Sequence, residues 1–118
     1  MTDTTFADAV LKAPTPVLVE FWAPWAKACS VAEPLLAQAV ADFADGLRLV
    51  RCNVEHNPMA ATVYGVRSIP MVILFRQGDE LDQWKGPLAT DEITRRVRAA
   101  CRRDPGEPSA AAEAGAGS

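Results

Sequence analysis

The stretch PVLVEFWAPWAKACS, residues 16–30, decides how the rest of the chain is read. It opens on a near-continuous apolar run, PVLVEFWA (16–23), as a strand buried on both faces would carry. It ends on Cys29, and Ala26 stands where a second cysteine would complete a C-x-x-C pair. The layout is that of a redox site with one half missing. Glu20 interrupts the apolar run. A lone buried carboxylate is costly to desolvate, so Glu20 needs a partner or a proton.

Working outward, helical and strand signals alternate. Asp3 to Thr5 offer cap candidates for a short helix carrying Phe6, Val10 and Leu11. Downstream of residue 27, Val31, Leu35, Ala39 and Phe43 recur at helical spacing, which predicts a helix over about 28–44 that stops before Gly46. Pro34 lies inside it and should kink it. LRLVRCNV (47–54) is β-branched and apolar enough for a strand. Asn57-Pro58 opens a short helix that Gly65 closes. MVILF (71–75) is a second buried strand, and RQGD (76–79) is a tight turn into ELDQWK (80–85). Thr90 is placed to cap a last helix, with Asp91 and Glu92 in its first turn and its arginines late, as the helix dipole prefers. The order α-β-α-β-α-β-β-α predicts an α/β domain with a mixed, mostly parallel sheet and helices on both faces.

Composition bounds the function. The chain has 118 residues, 49% hydrophobic and 23% charged, enough for one buried core. No apolar run approaches bilayer length. The beginning of the chain, MTDTTFADAVLK, lacks a basic segment followed by an apolar one, so a cytoplasmic location and no membrane association are expected. The net charge of −3 and the pI near 5.1 argue against nucleic acid as a partner. Arg95, Arg96, Arg98, Arg102 and Arg103 then read as a solvated helix face. Cys29, Cys52 and Cys101 are far apart, and His56 is the one histidine. That spacing fits neither a metal site nor a disulfide framework, and no cofactor is expected. Cys52 and Cys101 read as core, whereas Trp84 suits either core or an exposed contact. From Asp104 the sequence turns to Pro, Gly, Ala and Ser, so residues 1–103 form the expected domain and 104–118 a disordered tail.

VLVEFWAPWAKACSVAEP resembles the active-site strand and helix of thioredoxin, and YGVRSIPMVILFRQG resembles that family's second signature. The resemblance runs from about residue 2 to residue 101. It implies a thioredoxin fold and protein thiol–disulfide exchange. It also implies a four-stranded sheet without the family's first strand, with 47–54 at an exposed edge open to a weak homodimer. The family's attacking cysteine is Ala26 here, the two residues that follow are Lys27 and Ala28, the family's buried Asp is Glu20, and its neighbouring Lys is Arg51.

From that resemblance follow the expected site residues. Cys29 and Glu20 are what is left of the catalytic set: a second-position thiol and a residual proton relay, with an ionised Glu20 held by Arg51 or water. The alternative for Cys29 is a small buried residue kept for packing. The resemblance also implies a cis bond at Ile69–Pro70, and a shallow peptide groove formed by Trp25, Ile69, Pro70 and Gly86. Three functions stay open at this point. The first is a degenerate A-x-x-C protein limited to monothiol chemistry with protein or peptide clients. The second is a redox-independent, chaperone-like client-binding module. The third is an active thioredoxin in which Ala26 is an engineered replacement of cysteine.

Overall fold

The structure is a computed structural model that describes residues 6–43 and 46–102. The tail over 104–118, Arg103 and the cap candidates Asp3 to Thr5 lie outside the described residues. Four strands form one sheet: β1 (Val17–Trp22), β2 (Arg48–Asn53), β3 (Met71–Arg76) and β4 (Asp79–Lys85). Three α-helices accompany them: α1 (Ala28–Asp42), α2 (Pro58–Val63) and α3 (Thr90–Cys101). A π-helical turn over Ala7–Leu11 precedes β1.

The sheet order is β2-β1-β3-β4. Only β1 and β2 run parallel; β1 with β3 and β3 with β4 are antiparallel. The expectation of a mostly parallel sheet is corrected here. The β3–β4 hairpin supplies one antiparallel pair, and β3 enters the sheet beside β1 in the opposite sense, giving the second. The hairpin turns on Gln77 (φ 51°) and Gly78 (φ 87°), the two positive-φ positions that a right-twisted hairpin prefers. A side chain at residue 78 would also press on the Leu11 carbonyl oxygen, 3.3 Å from where its Cβ would sit.

The two central strands are apolar on both faces because both faces are covered. Odd-numbered residues of β1 and β3 (Val17, Val19, Phe21, Met71, Ile73, Phe75) pack with Phe6, Val10, Ala13 and Ala60 on one side. The even-numbered Leu18, Val72 and Leu74 pack on the other with Ala32, Leu36, Ala39, Ile93, Val97 and Ala100 of α1 and α3. Glu20 belongs to this second face, and its register neighbours are Arg51 of β2 and Val72 of β3. Trp84, undecided from sequence, is buried in the same layer.

Three local expectations change. The buried stripe of α1 is Cys29, Ala32, Leu36 and Ala39, so Val31, predicted to face the core, is 56% exposed. The helix also ends at Asp42 rather than at residue 44. Thr90 is the first residue of α3 rather than its cap; its Oγ1 donates to the Leu35 carbonyl at 3.1 Å and ties α3 to α1.

Candidate functional site

The site is built where β1 hands the chain to α1. The turn after Trp22 closes through Ala26 N–H to Ala23 O (3.1 Å), and the helix begins with Cys29 N–H to Ala26 O (3.1 Å) and Ser30 N–H to Lys27 O (3.0 Å). These bonds place Ala26 just before the helix and Cys29 in its first turn. Trp25 projects from the turn at 68% exposure, Lys27 and Ala28 are exposed, and Ala26 is half-buried. Cys29 points inward at 3% exposure. Cys52 is buried and Cys101 half-buried, as their core assignment expects.

Glu20 is fully buried, and the partner expected for it is present: Arg51 Nε donates to Glu20 Oε1 at 3.2 Å. The parallel β1–β2 register sets this pair side by side. The second oxygen, Oε2, is buried without a hydrogen-bond partner. Burial is therefore the larger effect on this carboxyl and pushes its pKa above the ordinary carboxylate value, although Arg51 opposes it. The expected pair with Arg51 forms, and desolvation favours the protonated acid more than in a solvated ion pair.

Sequence reasoning missed two groups that hold Arg51. Its guanidinium lies 4.0 Å from the centre of the Trp22 ring, and its second arm reaches Glu33 Oε2 of α1 at 3.2 Å. Trp22 was legible in part, since it stands two residues from Glu20 and shares its sheet face. Glu33 stands four residues after Cys29, one turn further along the same side of α1, which was the available signal.

Just before β3, at the end of the sheet where Phe21 of β1 pairs with Met71, the Ile69–Pro70 peptide bond is cis. Pro70 is buried, and its carbonyl accepts the Gly86 N–H at 2.8 Å; Gly86 has φ +77°, a conformation that favours glycine. The structure thus brings Pro70 and Gly86 together. Ile69 is half-buried and leans on the Phe6 side of the core, which leaves it only partly available to a groove.

The arginines of α3 are engaged within the chain. Arg95 and Arg96 both pair with Glu92, whose carboxyl they hold down to about 2. Arg96 also reaches Asp82 at 3.5 Å, and Arg98 lies over the Phe43 ring. Among the described residues no cluster of three His, Cys, Asp or Glu side chains could hold a metal ion, and no helix is long and apolar enough to cross a membrane.

Comparison with known proteins agrees with this geometry. The thioredoxin family model matches residues 1–99. Thioredoxin 1 of Synechococcus elongatus is 39% identical over 88 residues, covering 75% of this chain and 82% of the relative. A thioredoxin of Griffithsia pacifica is 41% identical over 86 residues, covering 73% and 79%. Thioredoxin M4 of the Arabidopsis thaliana chloroplast is 34% identical over 97 residues, covering 82% of this chain and 50% of the relative. A match of that extent, on a sheet and turn of this form, leaves one conclusion: the chain belongs to the thioredoxin family, and so to the thiol–disulfide oxidoreductase class.

Proposed function

We propose that this chain is a thioredoxin-family protein limited to one thiol, in which ordinary dithiol–disulfide turnover is absent and only monothiol chemistry at Cys29 is left. The observation that carries the reading is the contrast at the turn: a methyl group at position 26, and a cysteine 3% exposed at position 29. Disulfide reduction through a C-x-x-C pair needs an accessible thiolate to attack and a second thiol to resolve the mixed disulfide. Ala26 removes the first step. Cys29 then reacts slowly with a protein or peptide client that carries a disulfide. Its thiolate attacks one sulfur, the client S–S bond breaks, a Cys29–client mixed disulfide forms and the other client sulfur leaves as a thiolate. Glu20, buried on the sheet face that α1 covers, is the group suited to hold or release a proton there.

With dithiol reductant present, the chain should reduce insulin no faster than the reductant alone. Turnover above that background would overturn the reading. In a Cys101→Ser variant, since Cys101 is only half-buried, a mixed-disulfide probe should modify Cys29 slowly.

A second reading has its own support. Trp25 offers a large apolar surface at 68% exposure beside a tip with no attacking thiol. The Phe21–Met71 pairing sets the Pro70–Gly86 edge at the same end of the sheet, and we propose that the two together receive an extended client segment without redox chemistry. Protection of heat-denatured citrate synthase from aggregation, unchanged when Cys29 is replaced by serine, would favour this reading over the first. Pairing of two copies along the exposed β2 edge belongs to either reading; a concentration-independent monomer mass in light scattering would dispose of it.

A further inference from the structure

Arg51 is shared. Its Nε serves the buried Glu20 and its terminal nitrogen serves Glu33, each at 3.2 Å, while its plane rests on Trp22. The two carboxylates differ in kind. Glu20 has no exposure, whereas the side chains of Glu33 and Arg51 are 43% and 35% exposed. The charged groups acting on Glu20 are Arg51 from β2 and Glu33 from α1; β3 sets Val72 beside it. We propose that Glu33 is a positioning residue for the buried site, dividing the Arg51 cation between two carboxylates and so setting the pH at which Glu20 takes up its proton.

What holds Arg51 once Glu33 is gone decides the direction of the shift. The Trp22 ring and Glu20 itself still locate the guanidinium, so losing Glu33 does not release it into solvent. What changes is the charge balance. An anion that competes for the cation, and repels the Glu20 carboxylate, disappears. The charged form of Glu20 gains, although the substitution removes a salt bridge. Glu33 thereby links a solvent-reachable surface of α1 to a proton site that solvent does not reach. The consequence for Cys29 rests on the monothiol reading above, but the titration of Glu20 does not. The two can therefore fail separately.

The test is a carbon-13 carboxyl titration of Glu20 by NMR in the native chain and in Glu33→Gln, Glu33→Ala and Glu33→Asp. The Gln and Ala variants should move the Glu20 midpoint to lower pH, and Asp should return it toward the native value. The pH profile of Cys29 modification by an aromatic disulfide, measured on the same variants with Cys101 replaced by serine, reads the functional consequence. A Glu20 midpoint that stays in place, or rises, in the Gln and Ala variants would overturn the proposal. A rise would mean that Glu33 acts as an anchor for Arg51 and not as its competitor.

Discussion

Replacing Arg51 by Met removes the cation but keeps an unbranched stem against Trp22. Breaking a fully buried ion pair from one side costs about 3–5 kcal/mol. The Arg51 side chain is 35% exposed, so water and salt screen the pair and lower the expectation to roughly 2 kcal/mol. Loss of the cation from the Trp22 face adds about 0.5–1 kcal/mol that does not depend on pH. The pair's share does depend on pH. Because the Glu20 pKa is raised in the folded chain, the folded state holds this proton more tightly than the unfolded state. That contribution is fully present below the ordinary carboxylate value and is lost as pH rises through the folded value. Removing Arg51 raises the folded value further, so the variant should lose more stability as the pH increases. Urea unfolding should give a loss of roughly 2–3 kcal/mol at pH 8 and a smaller one, falling toward about 1 kcal/mol, at pH 4, below the ordinary carboxylate value. In a Glu20→Gln background the same substitution should cost only about 1 kcal/mol at either pH, since no buried charge is left without its partner. An equal loss at both pH values in the native background would refute the assignment of Arg51 to a buried, titrating Glu20.

Two further substitutions probe the layers and the surface. Phe75 is fully buried and meets the rings of Tyr64 (5.2 Å) and Phe6 (6.1 Å) edge-on, so Phe75→Ala should cost about 3–5 kcal/mol in urea unfolding. A loss below about 1 kcal/mol would mean that this layer is not packed as described. Trp25→Ala should leave stability within about 0.5 kcal/mol, since the ring is largely exposed, while weakening protection of denatured citrate synthase. An unchanged protection would remove Trp25 from the client surface.

The sheet was legible because β1 and β3 are apolar on both faces and the hairpin carries Gln-Gly at its turn. These are local signals that tertiary structure has no reason to override. Strand direction was less legible. Alternation of helices and strands suggests parallel pairing, but nothing local to MVILF states which way it enters the sheet. The α1 stripe was misread by one position because Val31 fits the helical spacing of the apolar residues yet faces outward, while the smaller Ala32 faces the sheet. Thr90 has the chemistry of a cap, but the Leu35 carbonyl lies within reach and takes its hydroxyl. At the site, Glu20 and Arg51 were legible as a pair because a buried carboxylate requires a partner. Glu33 was legible only as a residue one turn along α1 from Cys29, and an acid there does not by itself reveal that it shares a cation with the core.

The central proposal is that dithiol chemistry is lost through position 26, while Cys29, the Glu20–Arg51 pair and the cis Ile69–Pro70 turn around it are kept. Insulin reduction by Ala26→Cys tests it most directly, measured beside the native chain under the same reductant. Turnover by the variant well above background, with the native chain at background, is the predicted result. Turnover by the native chain, or a folded variant that stays inactive, would contradict it.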